Sequence, residues 1–150
     1  MNELGTTQEN ESQNLDKESI HEAIAATKDV DPKKRHDATF HLMKIGPNVQ
    51  DLELRIQVVD AFMEILSLPP SNEYGPCRYN AATALGLMGD KRAVDLLISS
   101  LRDPGWPIRS EAAYSLGKLK DPKAIPHLNT ALVHPDDATR MAAAKALQDF

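Results

Sequence analysis

Apolar residues recur at helical spacing along most of the chain, and prolines and glycines cut that pattern into short segments. Ile20, Ala23, Ile24 and Thr27 lie on one face, and Asp31-Pro32 ends the segment. A second helix is predicted from about Lys34 to Ile45, with Ala38, Leu42 and Ile45 inward. Gly46-Pro47 stops it, because glycine accepts a left-handed cap and proline cannot continue a helix. A longer helix from about Leu52 to Leu68 turns Ile56, Val59, Phe62, Met63 and Leu66 inward, and Pro69-Pro70 terminates it. Pro76 opens the next helix, which Gly89 closes after Met88. Asp90 is placed to cap a helix from about Lys91 to Arg102. Pro107 and Asp121-Pro122 repeat these two signals, since proline in the first turn loses no needed donor. The segment after Asp121 runs to about Val133, and Asp136 or Asp137 starts a last helix. The pattern predicts an all-α chain of about eight helices.

The segments repeat. Arg78, Arg109 and Arg140 are 31 residues apart, and the same step carries Leu85 onto Leu116 and Leu147, and Asp90 onto Asp121. It also carries Ala81-Ala82 onto Ala112-Ala113 and Ala143-Ala144. Each unit is two helices: an A helix with the Arg and the Ala pair, and a B helix with a leucine ladder in which Leu97 and Leu101 match Leu128 and Leu132. Upstream, Arg35, Ala38, Leu42 and Gly46 match Arg78, Ala81, Leu85 and Gly89 at an offset of 43. A unit this small cannot bury its apolar face alone and must stack on neighbours. The Ala pairs allow close approach of helices. Gly86 and Gly117, costly inside a helix by about 1 kcal/mol, imply a close backbone contact from the next unit.

The run Ala81-Ala82-Thr83-Ala84-Leu85-Gly86, then Gly89-Asp90 and Ala93-Val94-Asp95-Leu96-Leu97, resembles the HEAT-like repeat first associated with phycobilisome (bilin) lyases. So do Leu101-Arg102-Asp103-Pro104 and Ile108-Arg109 through Leu116-Gly117. The resemblance runs from about Arg35 to Phe150, with departures at Gln148, where glycine is expected, and in the stretched second unit. It implies an α-solenoid, an α-α superhelix, with A helices on the convex side and B helices lining the concave side. Members of the family include scaffolds, chromophore lyase subunits and metal-dependent hydroxylases.

Composition narrows the function classes. The net charge is −5, which argues against broad nucleic-acid binding, and the short basic run Lys33-Lys34-Arg35 reads as an exposed turn and helix start. Aromatics make up only 5%, so the core must be built mainly from Ala, Leu, Ile, Val and Met. A single cysteine, Cys77, excludes an internal disulfide framework and fits a reducing compartment. No apolar run approaches membrane-spanning length and no signal pattern opens the chain, so a cytoplasmic location is expected. Residues 1–16 are polar without an apolar period and read as a disordered tail, leaving 17–150 as the repeat array.

Candidate chemistry is sparse. The hydroxylase members place His-Glu pairs after the repeat Arg. The matching pairs here are His36-Asp37, Tyr79-Asn80, Ser110-Glu111 and Met141-Ala142, and only the first resembles a ligand pair. The true dipeptide His21-Glu22 lies on a B-type helix, and His41, His127 and His134 have no metal spacing, so no metal or other cofactor is expected. Cys77 sits in a helical first turn, but its counterparts Ile108 and Thr139 read as packing positions. Trp106 is expected to cover the end of a neighbouring helix rather than anchor a partner. The Arg row reads as structural ties: Asp29 and Asp103 lie six residues before Arg35 and Arg109 and are placed to pair across the turn. His134 replaces the acid before Arg140, so the last link should be weaker. Binding is expected on the B helices, off the leucine ladder, at Asp60, Glu64, Asp95, Ser99, Arg102, Pro126 and Thr130. The expected function is therefore a non-catalytic scaffold that binds another protein, with no role for nucleic acid or membrane. The alternative, carried by the resemblance alone, is a bilin lyase subunit that handles a tetrapyrrole.

Overall fold

The computed structural model describes residues 17–150, and the predicted tail at residues 1–16 lies outside them. Among the described residues there are eight α-helices and no strand. They are α1 (residues 17–26), α2 (Pro32–Ile45), α3 (Leu52–Leu66), α4 (Gly75–Met88), α5 (Val94–Ser100), α6 (Trp106–Leu119), α7 (Ile125–Ala131) and α8 (Asp137–Gln148). The A helices α2, α4, α6 and α8 pack in sequence, each on the next, and the B helices pack beside them. The chain is an α-solenoid of two-helix repeats.

Local signals set the ends. Asp31, Asp51 and Asp136 each accept a hydrogen bond from a backbone N–H in the first turn of α2, α3 and α8. Asp90 and Asp121 do the same one step earlier, because α5 and α7 are each preceded by a short 3-10 turn, Lys91–Ala93 and Pro122–Ala124. Those B helices are thus shorter than the sequence pattern predicts. Gly89 closes α4 at φ 69°, the left-handed conformation that glycine adopts without cost. One repeat later Lys120 takes φ 52°.

The core is a continuous seam of Leu42, Val58, Phe62, Leu66, Leu85, Leu97, Leu116 and Leu128. Burying each such leucine contributes about 1.5–3 kcal/mol relative to leaving it exposed. Three inward assignments fail. Ile56 is exposed, and Leu54, Val58 and Ile65 fill the core from α3 instead. Leu132 is 36% exposed where its counterpart Leu101 is 6% exposed, and Ala144 is exposed where Ala113 is buried. Among the described residues only α8 follows α7, so no further unit stacks over these last two positions.

The arginine row binds the units together, though with other partners than spacing suggests. Arg35 Nη1 donates to the backbone carbonyls of Asp29 and Val30 at 2.8 and 3.0 Å. Arg109 does the same to Asp103 and Pro104 at 2.7 and 2.9 Å, and Arg140 to His134 and Pro135 at 2.7 and 2.9 Å. The residue six before the Arg therefore contributes its carbonyl, not its carboxylate, and His134 serves as well as Asp103. The carboxylate comes from the next unit: Glu73 for Arg35, Asp103 for Arg78, and Asp136 at 3.5 Å for Arg109. Arg78 Nε also donates to Leu66 O in α3 at 3.2 Å. Its link to Asp103 is the most enclosed, with side chains 7% and 5% exposed. Arg140 finds only Asp137 of its own helix. Among the described residues it has no acid from another unit, while His134 supplies its carbonyl as Asp103 does for Arg109.

The two interior glycines match the sequence reading. A Cβ on Gly86 would lie 2.5–2.8 Å from Oγ, Cβ and Cα of Ser115 in α6, and one on Gly117 would lie 2.8 Å from Ala146 Cα in α8. Ser115 Oγ donates to Ala82 O at 2.7 Å in the same contact. Arg55, which the periodicity did not single out, ties α3 to the end of α4 by donating to Met88 O at 2.7 Å.

Candidate functional site

All of the residues predicted on the B-helix face, Asp60, Glu64, Asp95, Ser99, Arg102, Pro126 and Thr130, are exposed. The reason is helical register. Val59, Phe62 and Leu66 in α3, Leu97 in α5 and Leu128 in α7 hold the opposite sides of these helices in the core.

The electrostatics of the face differ from those of a bare acidic patch. Each acid meets a cation from another unit. Lys28, just past α1, pairs with Glu64 at 3.1 Å; Arg92 pairs with Asp60 at 2.9 Å; Lys123 pairs with Asp95 at 2.5 Å. Arg92 also holds Asp90 at 2.8 Å, which keeps the Asp90 carboxyl below the usual carboxylate range. Asp95 raises the Lys123 ammonium through its hydrogen bond and its charge. The row continues to His21 of α1, whose ring nitrogen lies 3.0 Å from Gln57 Oε1 of α3. Arg92 and Lys123 sit at the starts of their B-helix segments but Lys28 lies just past the end of α1, and the spacing to the acids varies, so periodicity alone does not reveal the pairs.

Two of the predicted polar contacts are turned inward on their own helices. Ser99 Oγ donates to Asp95 O and Thr130 Oγ1 to Pro126 O, each at 3.1 Å. Their hydroxyl protons are therefore already engaged. Arg102 is exposed and takes part in no ion pair among the described residues. Exposed pairs of this kind contribute about 0–1 kcal/mol each, so the face can exchange its internal pairs for a partner's charges at little cost.

A cleft of about 660 Å³ lies between α1, the end of α2 and the start of α3, lined by Ile20, Ile45, Val49, Leu54 and His41 among others. Lys17 and Asp51 pair at 2.7 Å along its lining. No local pattern signals it, because its walls come from three segments that are separate in the chain.

No group of three or more His, Cys, Asp or Glu converges to hold a metal among the described residues. His36 pairs with neighbouring Asp37 at 3.5 Å and stacks on Phe40. No helix among the described residues is long and apolar enough to cross a membrane. Cys77 is buried, which pushes its thiol up, against a smaller opposing pull from Thr39 and Arg35. It is expected to resist a thiol-reactive dye in the native protein and to react fully in denaturant; rapid native labelling would contradict this burial. Trp106 departs from its predicted packing role: it is 55% exposed.

Comparison with known proteins agrees with this architecture. Residues 59–148 match the model of the HEAT repeats family. The structure of the complex of CpcE and CpcF of phycocyanin lyase from Nostoc sp. PCC7120 is similar, with 26% identity, a TM-score of 0.59, and coverage of 87% of this chain and 64% of that one. The crystal structure of an engineered protein matches at 18% identity and a TM-score of 0.63, covering 87% of this chain and 61% of that one, which bears on fold alone. The chain spans less than two thirds of the length of either structure. No curated protein matches it in sequence.

Proposed function

The chain belongs to the HEAT-repeat family, and from that premise we propose that it is a non-catalytic scaffold that binds a protein partner through its B-helix face. The observation that carries this reading is the row of cross-unit ion pairs, Lys28–Glu64, Asp60–Arg92 and Asp95–Lys123, on an exposed surface flanked by Ser99, Arg102, Pro126 and Thr130. Alternating charges held by a rigid helix frame give a partner a fixed pattern to match, which favours specificity and association rate over raw affinity. The resemblance to HEAT-like repeats implies that this surface is the concave one. A free, buried thiol supports a reducing, cytoplasmic setting.

The test separates the pattern from the pairing. Reversing Asp60, Glu64 and Asp95 to lysine is expected to abolish saturable binding to a partner identified from the native cell. Reversing Lys28, Arg92 and Lys123 to glutamate at the same time restores the pairs but inverts the pattern, and binding should stay lost. Recovery of binding in that charge-swapped protein, or unchanged binding in the first, overturns the assignment.

A second reading has one observation in its favour. The similar structure is a complex of two proteins of a phycocyanin lyase, which supports a tetrapyrrole-handling subunit acting beside a second protein. Bilin mixed with the purified chain would then give a shifted visible absorbance that co-elutes with it; absence of that band, alone and with the partner present, removes this reading.

A further inference from the structure

Five of the chain's seven aromatic side chains, Phe40, Tyr79, Trp106, Tyr114 and Phe150, are exposed. Single exposed aromatics are ordinary, but three of these fall into register. On successive A helices the repeat places His36, Tyr79, Ser110 and Met141 at one position. Four residues on stand Phe40, Thr83, Tyr114 and Lys145, and four further on Lys44, Leu87, Lys118 and Asp149. Side chains four apart share a helix face, so each helix contributes one stripe and the four stripes lie side by side. Phe40, Tyr79, Leu87, Tyr114 and Met141 are each between 38% and 68% exposed.

Contacts within α2 order one end of the row. His36 stacks on Phe40 with ring centroids 6.3 Å apart, and Lys44 Nζ lies 4.6 Å from the centre of the Phe40 ring. Burial raises the Tyr79 phenol first, and Glu111 and Tyr114 of the next A helix add to this. Glu111 itself is buried.

The charge of the row differs from that of the rest of the protein. Lys44, Lys118 and Lys145 are exposed, and none is in an ion pair among the described residues. Asp37 and Asp149 stand at its two ends, and Asp37 is engaged with His36. A chain of net charge −5 thus carries a strip of aromatic rings and unpaired lysines, while the acids of its B-helix face are matched by cations. Packed helices lie about 8–10 Å apart, so the strip spans roughly 27 Å, the length of about eight residues of extended chain.

We propose that this strip is a second docking surface, whose occupant is an acidic protein segment with apolar side chains lying extended across α2, α4, α6 and α8. Its carboxylates face Lys44, Lys118 and Lys145, and its apolar side chains enter between Phe40, Tyr79, Leu87, Tyr114 and Met141. Tyrosine is enriched among the residues that dominate binding energy at interfaces, and the lysines supply the charge that selects an acidic partner.

The experiment pans the full chain against a displayed random library of 15-residue peptides, then measures selected peptides by fluorescence anisotropy. Enriched peptides should be net negative and contain Leu, Ile, Phe or Trp. Their affinity should fall about tenfold or more in Tyr79→Ser/Tyr114→Ser and in Lys44→Glu/Lys118→Glu/Lys145→Glu, each checked for native melting. It should weaken with salt and stay unchanged in the charge-swapped B-helix variant, which separates this surface from the first. Neutral or basic winners, no enrichment, affinity unmoved by either variant, or tighter binding of a random single-stranded RNA would each overturn it.

Discussion

Replacing Asp103 by alanine should destabilise the protein by about 3–5 kcal/mol, measured by urea unfolding, because it leaves the Arg78 guanidinium buried without its counter-ion. Arg78 would keep only Leu66 O, and the link between the unit of α4 and the turn after α5 would be lost. Asp103 also accepts from Gly105 N at 2.9 Å, so the same substitution loosens the entry to α6. Asp103→Asn should cost less than alanine, since its one amide oxygen still accepts from either Arg78 or Gly105 N, although its NH2 then faces the other donor. The companion experiment is Asp137→Ala, which removes the carboxylate partner of Arg140 and leaves the arginine its bonds to the carbonyls of His134 and Pro135. Asp137 is 82% exposed and the Arg140 side chain 40% exposed, so removing that pair should cost no more than about 1 kcal/mol. Equal losses at Asp103 and Asp137 would show that enclosure by a neighbouring unit does not set the strength of the link.

Gly86→Val should lower stability by about 3 kcal/mol or more, the upper range for overpacking. Even its Cβ would overlap Ser115, including the α6 backbone at 2.8 Å. Helices α4 and α6 must then separate and expose the Ala82 and Ala113 seam. Introducing Ser115→Gly removes Oγ and Cβ from the clash but not Cα, so a double-mutant cycle should recover part of the loss. Gly75→Ala, with nothing within 4 Å of its added Cβ, should change stability little. Comparable melting of the Gly86 and Gly75 variants would refute the close contact. Gly117→Val should cost less than Gly86→Val, because α8 has no further described unit behind it and can tilt away.

Much of the solenoid was legible because its signals are local. Asp90 and Asp121 cap, Pro76 and Pro107 open helices, and Gly89 closes one, each within a few residues of its partner groups. Gly86 and Gly117 were legible for a different reason: glycine inside a helix is unfavourable unless something needs the space. The B-helix residues were found because a helix with one side fixed in the core has its other side in solvent. Their charge state was missed, since Lys28, Arg92 and Lys123 reach them from other units. Ile56 lies outside the core because α3 is apolar on several sides, and Leu54, Val58 and Ile65 supply its buried face. Trp106 was misplaced because chain distance does not say whether a neighbouring helix end lies within reach of a turn.

By itself the sequence determined the helices, their repeat and the stacked architecture, because periodicity, caps and breakers act through the backbone over distances shorter than one turn or one unit. Tertiary structure alone decided which carboxylate each arginine holds and which cation faces each B-helix acid. Those outcomes depend on the offset between packed helices, and a shift of one residue along a helix turns a side chain by roughly 100°. The 31-residue step showed that the arginines are equivalent; only stacking showed that Arg78 and Arg109 complete their bonds in the unit that follows.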